Sequence, residues 1–405
     1  MSAENRTDVF TDESEKMNGR RVFVDRIFIV TPLVILVAMM LSFQLQEAHG
    51  VPYFARKYDL NCNSCHIMPP ALNQQGENFV ANGYKPVGPT EAKATWPFAL
   101  WLTQRGEVQH SNDLDKAFPN KVELISGGPL GDSRASYFLE WRILSLQVSS
   151  DGSLKDRSGR FEDLFITYDV SNSVNLKAGQ FRLLNQIDDS RKLGLSTPLV
   201  IGAKISGSGA GSARELSLRA FAPNGRSPSV SLQHRSLPGA HAANGWFNIV
   251  SLVFPGEFSI PITDEAREEA SFEFESDPKG VFLESFYKRG LSSVGAHLFV
   301  DDGRSMGSLI GVYNRGRWFS RLGLGYGRFA GETNLRITLE SEFIPYDFLS
   351  GGVRLDHQTE VDNGTSFVPN VNFQWPLTVW TLRLVVEHRV RSDNNLTVGE
   401  LSLVF

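Results

Sequence analysis

Cysteine is nearly absent from this chain, with two residues in 405. A disulfide framework is thereby excluded, and because both lie within four positions of one another, at Cys62 and Cys65, they point to a local chemical device. Charge of one sign is missing too: 40 Lys+Arg stand against 45 Asp+Glu, a net charge of -5 spread along the sequence. Such a balance offers no basic field to attract nucleic acid, and that class of partner is set aside. Long apolar runs are absent after residue 96, so nothing there can be a membrane helix. There is no Walker loop, no dinucleotide-binding glycine pattern, no zinc-spaced His/Cys group and no internal repeat beyond strand periodicity. Hydrolytic chemistry has no visible machinery, and no catalytic residue is assigned. Asp188, Asp189 and the acidic clusters at 264–277 could attract cations, but read as solvated loop charge. With 41% hydrophobic residues, disorder does not describe the chain as a whole.

The one long apolar run is Ile27 to Phe43, preceded by Arg20, Arg21 and Arg26 and followed by Ala48-His49-Gly50. A basic region, an apolar core and small residues at the minus-three and minus-one positions make a secretory signal, cleaved after Gly50. A start at Met17 would give a more compact signal than one at Met1. An uncleaved inner-membrane anchor is the alternative, since the run is close to the minimum span. Position 51 is not Cys, which excludes a lipoprotein. The expected organisation is therefore a signal over 1–50, a cofactor segment over 51–96 and a third region over 97–405.

Cys62, Cys65 and His66 spell Cys-x-x-Cys-His, the attachment pattern for a c-type haem. Two thiols three residues apart on one turn reach the two vinyl groups, and the adjacent imidazole is then held below the iron. The alternative is an exported Cys-x-x-Cys redox pair or a disulfide closing a small loop, with His66 incidental. Pro69-Pro70 halts any helix through the motif, and Pro70 can open a new one in which Leu72, Gly76, Phe79 and Val80 recur at helical spacing up to Asn82-Gly83. Carbonyls around Pro69 are candidates to fix the His66 tautomer. Arg56 and Lys57 are candidates for the haem propionates, or else ordinary solvated charges. For the distal iron ligand His110 is nearest in sequence. Met306, His234, His241, His297, His357, His388, the new amino terminus or no ligand at all remain open, whereas Met68 is too close to His66 to reach the opposite face.

After residue 96 the pattern changes to alternation. Leu335, Ile337, Leu339 and Phe343 interleave with Arg336, Thr338, Glu340 and Glu342; Leu322, Leu324 and Tyr326 interleave with Arg321, Gly323 and Gly325. Similar stretches run over Asp163 to Val170 and Tyr137 to Ile143. These read as half-buried strands, and counting them gives roughly 16 to 18 of about ten residues. The chain ends on Phe405 behind Leu403 and Leu401 in alternation, which looks like the insertion signal of outer-membrane barrels. The fold class is thus all-β, an antiparallel outer-membrane barrel with its apolar set facing lipid and its charged set lining the lumen. A water-soluble barrel or sandwich is the alternative, because alternation also describes a sheet with one wet face.

The haem segment resembles the fused cytochrome-porins of the bacterial outer membrane, including those of iron-oxidising bacteria. The likeness rests on Pro52-x-Phe54-Ala55-Arg56, on Cys62-Asn63-Ser64-Cys65-His66, on Pro69 to Leu72, Gly76, Phe79 and Gly83-Tyr84, and more weakly on Gly179-Gln180-Phe181. It covers the haem segment well and the barrel by architecture only. The family often has Gln-Thr-Gly where this chain has Lys57-Tyr58-Asp59. The resemblance implies one haem c held covalently by Cys62 and Cys65, with His66 on the iron, in a small helical segment that plugs a barrel of about 16 strands. It implies electron transfer across the outer membrane, from extracellular ferrous iron to a periplasmic c-type cytochrome or other carrier. Electron transfer with a different donor or acceptor, and a solute porin with a haem plug, are the alternatives.

Overall fold

The computed structural model describes residues 52–404 apart from connecting segments, chief among them 87–92, 110–113, 149–153, 188–191, 199–225, 237–243, 258–272 and 360–363. The expected signal, His110, His241, Asp188, Asp189 and Phe405 lie outside the described residues.

Sixteen antiparallel strands, from Ala99–Gln109 to Asn395–Val404, form a closed barrel, with a three-residue strand, Leu154–Asp156, added beside Ala135–Val148. Closure comes from the last strand pairing the first, from Val404 opposite Trp101 to Leu396 opposite Gln109. Strand period two then sorts the side chains. On Trp318–Phe329 and Glu332–Tyr346, Arg321, Arg336, Thr338, Glu340 and Glu342 are buried inside, while Leu322, Leu324, Tyr326, Leu335, Leu339 and Phe343 stand exposed outside. Burial is inverted relative to a water-soluble sheet. Leu309 is 60% and Val294 61% exposed, whereas Arg336 is 1% exposed. An outward apolar band around a closed, edge-free barrel is the surface that hydrocarbon requires, and the expected facing of the two sets is what the fold shows.

The lumen tolerates its charges because they meet one another. Arg321 pairs with Glu340 at 2.8 Å, Arg354 with Asp356 at 2.7 Å, and the Thr338 hydroxyl donates to Asp356 at 2.6 Å.

The two rims differ. At one, strands join through short turns such as 170–173, 290–291, 316–317 and 347–348, and this rim also carries the strand ends at Ala99 and Val404. The other rim carries the long connections, 183–225 and 254–279.

The segment before the barrel folds inside it. It comprises α1 (Pro52–Tyr58), α2 (Cys62–Cys65), a hairpin of β1 (His66–Met68) and β2 (Ala71–Leu72), and α3 (Gln74–Ala81). Helix α3 begins at Gln74, not at Pro70 as the proline rule suggested. Pro69-Pro70 instead forms the turn of the hairpin, and Asn73 is the stronger N-cap: its Oδ1 accepts from Gly76 N at 3.0 Å. Gly83, at φ 67, ends the helix as its position implied.

Anchors tie this plug to the short-turn rim. Arg56 donates to the Phe98 carbonyl at 2.7 Å, Lys288 pairs with Glu77 at 2.7 Å, and Gln374 donates to the Pro69 carbonyl at 2.9 Å. Buried Met68 packs against Ile344 of the wall.

Candidate functional site

Local geometry builds the site from one turn and one helix. Cys62 and Cys65 bound α2, and His66 caps it with its backbone N–H on the Cys62 carbonyl. Three consecutive requirements of the motif, two thiols and an imidazole, therefore emerge from a single turn. Asn73 locks that turn to α3: its Nδ2 donates to the carbonyls of Asn63 at 2.9 Å and Ser64 at 3.1 Å, and its backbone N–H donates to the Cys65 carbonyl at 2.9 Å. Gly76 lets α3 approach, because a Cβ there would overlap the Cys65 carbonyl oxygen.

Both cysteines are free thiols and half-buried. Burial pushes the Cys65 thiol above its ordinary value, with the neighbouring Cys62 adding to the rise.

Cys65 and His66 open onto a cavity of about 330 Å³ between plug and barrel wall. Its plug side carries Phe54, Leu60, Leu72, Phe79 and Tyr84 besides Asn61 and Glu77; its wall side adds Phe138, Phe165 and Phe181. A contiguous line of rings crosses from one to the other. Centroids are 5.0 Å apart for Phe79–Phe54, 5.4 Å for Phe54–Tyr84, 4.9 Å for Tyr84–Phe138, 5.7 Å for Phe138–Phe165 and 5.9 Å for Phe165–Phe181. Two thiols, an imidazole, a ring-lined cleft and cations at its wall are a donor set that fits a covalently held haem.

The structure redistributes the other expected roles. Arg56 is committed to Phe98, and the Lys57 ammonium donates to the Tyr53 hydroxyl at 3.1 Å; neither lines the cavity. The cations that do are Lys177, Arg182, Arg235 and Lys288, all from the barrel. Sequence reading missed them, although alternation of Asn175 and Lys177 with Val174, Leu176 and Ala178 already points Lys177 inward. The Pro69 carbonyl is held by Gln374.

Among the described residues the cavity wall holds no histidine besides His66 and no methionine. Met68 is buried against Leu193 and Ile344. Met306 lies within the wall beside the Arg336 guanidinium at 3.9 Å, and His297 faces Glu284 and Ser308. His234, His357 and His388 stand on the outward side of their strands, the latter two beside Thr365 and Thr397. His110, the distal candidate nearest in sequence, is outside the described residues.

A second element enters the lumen from the long-loop rim. Backbone N–H groups of Asn185 and Gln186 donate to Glu284, those of Leu195 and Ser196 donate to Glu387, and Arg354 donates to the Ser196 carbonyl at 2.8 Å. Leu193 then meets Met68 of the plug. Elsewhere on the wall Glu123, Glu140 and Glu162 converge, met by Lys121 at 2.6 Å from Glu123 and by Arg142 at Glu162, as an ion-pair cluster.

Fold and site together define a β-barrel whose lumen holds a Cys-x-x-Cys-His plug. No family model matches the chain, and no curated protein matches it. Among solved structures it is similar to a Salmonella typhi OmpF complex with daunomycin, at 9% identity and TM-score 0.48 over 76% of this chain and 97% of that one. It is also similar to an anion-selective porin from Comamonas acidovorans, at 12% identity and TM-score 0.46 over 76% and 97%. A loop-deletion form of the Vibrio cholerae outer-membrane protein OmpT gives 11% identity and TM-score 0.45 over 76% and 98%.

Proposed function

We propose that this chain is an electron-transfer protein of the bacterial outer membrane, taking electrons from extracellular ferrous iron and passing them to a periplasmic c-type cytochrome or other carrier. The observation that carries the reading is the place of the Cys-x-x-Cys-His turn, inside a closed barrel, against an aromatic and cationic wall and at the short-turn rim. Short turns face the periplasm in outer-membrane barrels, so the plug lies on the periplasmic side and the long loops lie outside.

A haem held here supplies one-electron exchange between ferric and ferrous iron. Cys62 and Cys65 attach it, and His66, presented at the end of α2, ligates the metal. Asn73 and Gly76 hold the turn that spaces these three. Phe54, Phe79, Tyr84, Phe138 and Phe165 keep water from the cleft, and a low local dielectric is one of the protein's controls on potential. Leu309, Leu324 and their outward neighbours seat the barrel in lipid. The plug and the inward segment around Leu193 fill the lumen from both rims, which favours electron passage over solute passage. Ferrous iron as donor is supported by the resemblance of the haem segment to iron-oxidising cytochrome-porins.

An anaerobic visible spectrum of the detergent-purified, oxidised protein, before and after ferrous iron and then dithionite, tests the reading. Reduced haem bands should appear with ferrous iron. Bands that appear with dithionite alone would keep the cytochrome and assign another donor, and no haem bands with either reductant would leave a plugged porin.

A further inference from the structure

Two strands repeat one outward order as they reach the short-turn rim. On Gly280–Arg289 the outward set ends Leu283, Ser285, Tyr287, Arg289, and on Arg304–Arg315 it ends Leu309, Gly311, Tyr313, Arg315. Each passes from aliphatic to aromatic to cationic. The strand between them, Ser292–Asp301, turns only Ser292 and Val294 outward at that level, so no bulky side chain separates the two arginines. Arg289 is level with Ser292, and Ser293 with Val312. The outer two strands are therefore about 10 Å apart, with Arg315 about 7 Å nearer the rim, within the combined reach of two arginine side chains. Neither Arg289 nor Arg315 has a hydrogen bond or ion pair to a described residue, and among the described residues no carboxylate shares the outward face of these three strands. Arg317, by contrast, is held by Asp347 and by the Ile344 and Pro345 carbonyls.

Beside Tyr313 an open groove of about 570 Å³ runs over the outward surface, past Gly311, Ser320, Leu322 and Leu339. Its floor is low because Gly311 has no side chain, and a Cβ there would meet nothing within 4 Å. We infer that this face holds one anionic phospholipid of the periplasmic leaflet, its phosphate between Arg289 and Arg315 and an acyl chain in the groove. Guanidinium forks match phosphate oxygens, and tyrosines belong at the level where headgroup meets hydrocarbon. A free phosphate would use the arginines and leave the groove without a role. From the reading above the inference takes only the assignment of the short-turn rim to the periplasm; it is independent of haem.

Native mass spectrometry of the whole protein in detergent, titrated with phosphatidylglycerol, phosphatidylcholine or glycerol 3-phosphate, tests it, with heat-modifiable migration in gels reporting the folded barrel. The parent protein should bind phosphatidylglycerol several-fold more tightly than phosphatidylcholine. Arg289→Gln and Arg315→Gln should each weaken phosphatidylglycerol about fivefold and together about twenty-fivefold, from about 1 kcal/mol per cation. Gly311→Leu, which fills the groove and keeps every charge, should also weaken it several-fold, whereas Arg317→Gln should not. Equal affinity for the two lipids, or a folded double variant that binds as the parent does, would overturn the inference. So would glycerol 3-phosphate binding as tightly as the lipid, since the groove would then contribute nothing. A loss in Arg317→Gln equal to that of either unpaired arginine would assign the preference to rim charge at large and overturn it as well.

Discussion

Gly76 and Cys65 meet backbone against backbone, with no room at Gly76 for a Cβ beside the Cys65 carbonyl oxygen. That carbonyl also accepts from Asn73 N, so the start of α3 is built onto the end of the Cys-x-x-Cys turn. Gly76→Ala forces the helix away and uncouples the cap from the turn, an overpacking cost of about 1–3 kcal/mol confined to the plug. Haem staining should fall several-fold, while the heat-modifiable shift of the barrel persists. Full haem loading in this variant would show that the turn does not depend on α3.

Much of this was open to sequence. Alternation gave the strands and their facing, because a barrel wall needs only period two, and Leu335 to Phe343 lie as their pattern requires. Spacing singles out Cys62, Cys65 and His66 as a local group, and the structure carries the three on one turn, because residues this close in sequence need no tertiary contact to meet. The start of α3 departs from the proline rule because Asn73, whose side chain meets the backbone of Asn63, Ser64, His66 and Gly76, is a stronger signal than Pro70. Lys177, Arg182 and Arg235 were missed for a different reason. Alternation turns Lys177 inward, but which of sixteen strands faces the plug is decided by docking, and no single strand encodes that.

Glu387 receives the backbone N–H groups of Leu195 at 2.9 Å and Ser196 at 3.0 Å, while Arg354 binds the Ser196 carbonyl. This buried carboxylate therefore holds the Leu195–Ser196 end of the inward segment against the wall, as Glu284 holds its Asn185–Gln186 end. Glu387→Ala leaves Arg354 without one of its carboxylate neighbours and the two amides without an acceptor, a loss of about 3–5 kcal/mol at a buried charge network. Single-channel conductance in a planar bilayer should rise several-fold over that of the parent protein. An unchanged current would show that Glu387 does not hold the segment in the passage, leaving that role to Glu284 and the plug.

Tyr53 gives the plug a pH response. Burial first, then Tyr137 beside it, pushes its phenol up to about 12 from an ordinary 10. The folded form therefore holds the proton more tightly than the unfolded chain, and the resulting stability is fully present below pH 10 and is lost as pH rises towards 12. Limited proteolysis of the plug should accelerate over that window in the parent protein. Tyr53→Phe cannot ionise and should remove this part of the acceleration; a profile unchanged by the substitution would place the alkaline response elsewhere.

The outward band separates a lipid-facing barrel from a water-soluble one through Leu324, an exposed side chain midway along Trp318–Phe329. In water, Leu324→Arg is a surface change within about 0.5 kcal/mol of neutral. In a bilayer the same guanidinium near the midplane costs about 2–4 kcal/mol, because hydrocarbon solvates no charge and a strand in the middle of the wall gives the side chain a long way to snorkel. Refolding into lipid vesicles, followed by urea titration, should therefore show a loss of that size for Leu324→Arg. The inward-facing Gly323→Ser, one position along on the lumen side, should change little. Equal, small effects at both positions would mean that the apolar set does not meet lipid, and the barrel would have to bury that face against a protein partner instead.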